Sequence, residues 1–228
     1  MIRVSADWNP KQALLKEMLQ KPGRFTKAIE ICLEMHSLLH ISESSCGPLE
    51  THEDTLWDGL DEATFRAMTT LKDDTIAWNL WHITRIEDIT VNILIADMVQ
   101  VFLGDDWMGK MNVTIRDTGN AMTTEEIIAF SHGLNMEQLK NYRKEVGKRT
   151  KQIIQQLQPD DINRKMVPDR VQRILDEGGV LAVEGSKWLL DFWGKKTVAG
   201  LLMMPVTRHQ VVHLNDCFRI KEKCRKKS

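Results

Sequence analysis

The chain has 228 residues and a formal net charge of −1, with 42% hydrophobic and 28% charged residues. That length carries one well-buried core, and that balance offers no global field for nucleic acid. No apolar run reaches the roughly 18 residues of a membrane span, the start "MIRVSADWNPKQ" lacks a signal-peptide core, and Cys32, Cys46, Cys217 and Cys224 form no CxxC pair. These features predict a reduced, cytoplasmic, single-domain protein over residues 1–228, with neither membrane nor nucleic acid as a partner.

The dominant pattern along the chain is the helical spacing of apolar residues. "PKQALLKEMLQKPGRFTKAIEICLEMHSLLH" splits at Pro22-Gly23 into a lead-in helix and a first core helix over about 24–40. The turn-rich "ISESSCGPLETHEDTLWDG" then reads as a loop. "DDTIAWNLWHITRIEDITVNILIADMVQVF" predicts a second core helix over about 73–103, with acids in its first turn and Gly104 as its stop. Thr123 or Thr124, followed by Glu125 and Glu126, is a capping signature for a third over about 123–158, closed by Pro159. "PDRVQRILDEG" and "VEGSKWLLDFWGKK" are short helical pieces within the 159–197 connection. A fourth core helix covers about 197–223, with Pro205 in its first turns either marking the true start or kinking it. With no convincing β alternation and no internal repeat, the expected fold is all-α: an antiparallel four-helix bundle with extra short helices in the connections.

Seven histidines supply the candidate chemistry. His209 and His213 stand four apart, so on a helix their imidazoles lie one turn apart and can share an ion. A third ligand from a neighbouring helix would complete a facial set and leave positions open for water or substrate. Asp216, three residues beyond His213, falls on the same face and is placed to accept a proton from an imidazole. His36 and His40 repeat the spacing at a helix end, where the negative dipole terminus attracts protonated histidine without any metal. His52 and His132 read as surface or loop residues. His82 sits in "IAWNLWHITRIEDI", with Trp78 and Trp81 before it and Arg85 one turn after. Arg85 either steers an anionic group or pairs with Asp88 or Glu87 on the surface. Glu87, about 140° round the helix from His82, points elsewhere and suits a pair with a neighbouring helix. Trp78, Trp81, Trp188 and Trp193 read as interhelical packing or as the lining of a pocket, and Cys217 as a small buried apolar residue. The basic tail "FRIKEKCRKKS" reads as solvated. No HExxH, GxSxG or Gly-rich phosphate loop is present, which removes support for zincin, serine-hydrolase and nucleotide chemistry.

"IAWNLWHITRIEDI" and "TRHQVVHLND", together with the lead-in "DFWGKKTVAGLL", resemble the DinB family of DinB/YfiT-like metalloenzymes. The resemblance covers most of the chain as a helix pattern but only these stretches as motif, and the 159–197 connection is long for the minimal bundle. It implies one histidine from the second core helix and an HxxxH pair from the fourth as ligands of a divalent metal: His82, His209 and His213. Three imidazoles suit zinc or nickel first and admit iron or manganese. The resemblance further implies transfer of a low-molecular-weight thiol to small electrophiles, or thiol-assisted isomerisation. A metal-dependent hydrolase and a non-enzymatic, stress-related bundle that binds a small ligand are the alternatives. Asp216, Arg85 and Trp78 would surround the ligands or the substrate, and no catalytic acid or base is assigned. A homodimer acting on a small-molecule substrate is expected as well.

Overall fold

The computed structural model describes residues 1–42, 50–71 and 74–226, so Cys46 and the expected helix start at Asp73 fall outside it. Among the described residues there is no strand, and Lys165 and Thr197 form an isolated antiparallel bridge. A short widened turn, Val4–Trp8, leads into α1 (Asn9–Gln20). Gly23, at φ +74°, makes the turn that a side chain would strain, and α2 (Phe25–Ser37) follows. Short helices α3 (His52–Trp57) and α4 (Glu62–Arg66) occupy the stretch expected to begin as loop, each capped by its own Thr51 or Asp61 side chain.

The second core helix differs from the expectation at both ends. It starts as α5 (Ile76–Asp88), with the Thr75 hydroxyl accepting from Trp78 N at 2.9 Å, so threonine rather than acid caps it. It continues as a widened turn over Ile89–Ile95 and stops at Asp97, which takes a left-handed conformation at φ 56°. The apolar residues beyond form only a short 3₁₀ turn, Val101–Leu103, because Asp88 reaches across to accept from Val101 N and Phe102 N, both at 2.9 Å. α6 (Trp107–Met111) then precedes the third core segment.

That segment is two helices. α7 (Thr124–Gly133) opens on the expected capping box between Thr123 and Glu126, and α8 (Met136–Gln156) opens on the Asn135 side chain, which accepts from Gln138 N. Next come α9 (Pro168–Asp176) and α10 (Glu184–Gly194), in the places the 159–197 reading assigned to short helices. α11 (Val198–Met203) is capped by Thr197, Pro205 lies in a widened turn over Met204–Arg208, and α12 (His209–Arg225) completes the chain. Proline lacks the N–H that a regular turn needs there, so the helix is re-phased just before His209. No helix is long and apolar enough to cross a membrane among the described residues.

α5 is the axis. It packs against α4, α7, α8 and α12, while α2 packs against α1 and α8 and against the Met204–Arg208 turn. One hydrophobic cluster runs from Ile2 to Ile220. Every residue from Ile76 to Ile95 is buried, including Asn79, His82, Thr84, Arg85, Glu87, Asp88, Thr90 and Asn92. A helix enclosed on all sides must satisfy such polar groups internally. The threonines donate back to carbonyls one turn earlier, and Asn92 donates to Asp88.

Candidate metal centre

His82 projects from α5 toward α12, where His209 and His213 occupy successive turns. The ring centroids stand 5.1 Å (His82–His209), 4.7 Å (His82–His213) and 4.6 Å (His209–His213) apart. One ligand-type nitrogen from each lies within 4.8 Å of the other two. The structure thus brings together the three histidines read from sequence.

Neighbouring groups settle which nitrogen two of these rings leave bare. His82 Nδ1 is 2.8 Å from the Thr118 carbonyl, which can only accept, so Nδ1 carries the proton and Nε2 keeps its lone pair. His213 Nδ1 is 2.6 Å from Asn79 Oδ1, and the Asn79 amide is oriented by donating to the Thr75 carbonyl at 2.8 Å. Asn79 therefore presents oxygen to the ring, and His213 Nε2 is bare as well. His209 Nδ1 is buried with no hydrogen-bond partner among the described residues. Burial pushes the His82 pKa down to about 4. Burial and then the His82 ring push His209 down to about 3, and burial with both neighbouring rings also lowers His213. All three are neutral at physiological pH, the state a metal ligand requires.

A three-residue stretch of backbone holds this face of α5 in place. The carbonyls of Asp117, Thr118 and Gly119 accept in turn from Trp81 Nε1 (3.0 Å), His82 Nδ1 (2.8 Å) and Trp78 Nε1 (3.2 Å). Gly119 sits at φ +76°, and a Cβ there would come within 2.7 Å of Trp78 Nε1, so the close approach demands glycine. Trp78 lies parallel to His82, with centroids 4.6 Å apart and planes at 10°, which fixes the ring's tilt.

The other expected participants stand elsewhere. Arg85 is no anion-steering group. Fully buried, it donates to the Arg116 carbonyl (2.9 Å), Asp88 (3.1 Å), the Tyr142 hydroxyl (2.8 Å) and Gln100 (2.6 Å), and lies 4.2 Å over the Phe102 ring. Its pairing with Asp88 was foreseen as a surface contact and is an interior one. Asp216 pairs with Arg219 at 2.8 Å, while Thr118 and Asn79 hold the imidazoles. Trp81 and Trp193 are buried in the core and Trp188 is half exposed. Cys217 is wholly buried, and burial raises its thiol above the ordinary range.

Sequence reasoning missed Asn79, Thr118 and Gly119. A lone asparagine amid the apolar face of a helix, one turn before a histidine, was a signal for the first. "DTGN" marked a turn without showing what that turn touches.

Among the described residues the chain is all-helical, and its central and last helices bring three neutral imidazoles close enough together that they could hold a metal ion. The sequence pattern of the DinB superfamily matches residues 53–216, and the chain belongs to that superfamily. No curated protein matches it significantly.

Proposed function

We propose that the protein is a divalent-metal-dependent enzyme, built as an antiparallel four-helix bundle, that transfers a small thiol to electrophilic substrates or isomerises them with the thiol's help. The observation that carries this reading is the pair of tautomers that Thr118 and Asn79 set at His82 and His213, which leaves both Nε2 lone pairs free, in a group of three histidines whose ligand-type nitrogens lie within 4.8 Å of one another. The donor set fits the ion: three uncharged imidazoles, one with an orphaned buried nitrogen, suit zinc or nickel and leave coordination positions open. When bound, such an ion lowers the pKa of a thiol or water that it holds. The residues around it perform the orientation. Thr118 and Asn79 keep the Nδ1 protons in place, Trp78 clamps the His82 ring, and the partly exposed sides of His209 and His213 give access.

A second reading, a non-enzymatic bundle that sequesters a small ligand, draws on an apolar pocket of about 440 Å³ lined by Val113, Ile115, Met122, Phe130 and Leu181. Asp117 also lines it, so it abuts the loop that holds His82.

The test begins with the metal content of untagged protein beside H82A and H213A. It continues with thiol consumption by metal-loaded protein across a panel of electrophiles, H209A serving as control. Loss of one ion per chain in the variants relative to wild type, together with H209A-sensitive turnover, supports the enzyme. A bound ion without turnover on any electrophile moves the weight to the binding bundle. Light scattering tests the accompanying expectation of a homodimer.

A further inference from the structure

Glu87 lies five residues beyond His82, about 140° further round the helix, and so faces the opposite side of α5. There it meets His36 near the end of α2 and His40 just beyond it. His36 Nε2 stands 2.8 Å from one Glu87 oxygen and His40 Nε2 3.1 Å from the other. The two rings are 4.3 Å apart, and none of the three residues is more than 3% exposed. Their ligand-type atoms all lie within 4.8 Å of one another. His36 and His40 lie outside the residues matched by the superfamily pattern.

The charges here balance only if a proton on the histidines or a metal ion accompanies Glu87. Arg143 is committed to Glu53 at 2.7 Å and Arg85 to Asp88 at 3.1 Å. That leaves Glu87 an interior carboxylate with no guanidinium or ammonium of its own among the described residues, a costly arrangement unless another cation is present.

The unpartnered atoms point the same way. His40 Nδ1, Glu53 Oε2 and Gln210 Oε1 are all buried without a hydrogen-bond partner among the described residues. His40 Nδ1 and Glu53 Oε2 face each other at 4.0 Å. A neutral His40 that donates from Nε2 to Glu87 turns a bare lone pair toward the Glu53 carboxylate, which is repulsive. With Nε2 bound to a metal ion, the ring proton moves to Nδ1 and faces Glu53 as a donor.

We propose that His36, His40 and Glu87 form a second, inner divalent-metal site on the face of α5 opposite His82. Two imidazoles and one carboxylate suit zinc, iron(II) or manganese. Glu53 accepts from His40 Nδ1–H and so orients that ligand from outside the coordination sphere. Gln210 ties the two sites together, because it follows His209 directly and donates to Glu87 at 2.9 Å. The inner ligands are enclosed, so the ion enters as the chain folds and resists chelators until it unfolds.

The experiment refolds the full chain from guanidinium in the presence of cobalt(II), removes free metal with EDTA and gel filtration, and counts cobalt per chain. The variants are H209N/H213N, which leaves the inner site alone, and E87Q, which keeps its shape but removes its charge. About one EDTA-resistant ion in H209N/H213N, and one fewer in E87Q than in wild type, supports the inner site. No ion in H209N/H213N overturns it and makes the cluster an ion pair with a proton on His40. Should E87Q fail to refold by circular dichroism, H209N/H213N decides by itself. The inference stands apart from the proposed enzyme: an unused outer site shows as one ion in wild type, kept in H209N/H213N and lost in E87Q.

Discussion

Replacing Gly147 by alanine reverses the usual sign of a glycine-to-alanine change in a helix. Gly147 lies in the interior of α8, where alanine would ordinarily stabilise by up to about 1 kcal/mol. Here an added Cβ would stand 2.6 Å from His40 Nδ1, 2.9 Å from its Cγ and 3.1 Å from its Cε1. The ring has no slack, because it is buried and its Nε2 is 3.1 Å from Glu87. Overpacking a filled interior costs roughly 1–3 kcal/mol, so against the propensity gain of about 1 the net change is a loss of up to about 2 kcal/mol. For a chain of this size that corresponds to a fall in Tm of up to roughly 8 °C. Urea unfolding followed by tryptophan fluorescence reads it as a lower midpoint at unchanged slope. In an H40A background the obstacle is gone, and the same substitution should stabilise by up to about 1 kcal/mol, a coupling that a double-mutant cycle isolates. G147A more stable than wild type, or an unchanged sign in the H40A background, refutes the packing argument.

Three further outcomes follow from the same contacts. Asn79→Ala removes the group that fixes His213 and should weaken metal binding about 10- to 100-fold, measured by competition with a chromophoric chelator; unchanged affinity would show that Asn79 orients nothing. Arg85→Met strands Asp88 in the interior and should cost about 3–5 kcal/mol in denaturant unfolding while leaving the metal content per folded chain intact; a selective loss of metal would return Arg85 to the site. In metal-free protein, His82 and His209 bind protons in the folded chain only near pH 4 and 3, but near 6.5 when unfolded. The unfolded state holds more protons between those values, so this contribution to stability is complete above about pH 6.5 and lost as pH falls toward 4 and then 3. H82F should flatten part of that slope in pH-dependent melts, and an unaltered slope would count against it.

The three-histidine constellation was legible because helix geometry converts a spacing of four into adjacency, and because His82 stands in a distinctive aromatic setting. The Thr123–Glu126 capping box was equally local and equally readable. What escaped were features set by distant partners. The apolar run after Ile95 looked like continuing helix, yet Asp97 turns it and Asp88 captures its amides from thirteen and fourteen residues back. The break before Asn135 was hidden by unbroken apolar spacing, although Gly133 and a capping asparagine stood there in sequence. His36 and His40 were assigned to a helix end because nothing local reveals that Glu87, some fifty positions later, faces them.

The full enclosure of residues 76–95 has a kinetic consequence. Amides in the middle of that helix can meet solvent only when the surrounding helices part, so their hydrogen exchange should report global opening rather than local fraying. His82 and Glu87 both ride on this enclosed segment. His209 and His213 ride on a half-covered helix that begins at the widened turn around Pro205. Breathing at the outer cluster is therefore expected to be one-sided, the half-covered wall giving way to an incoming molecule before the enclosed one does.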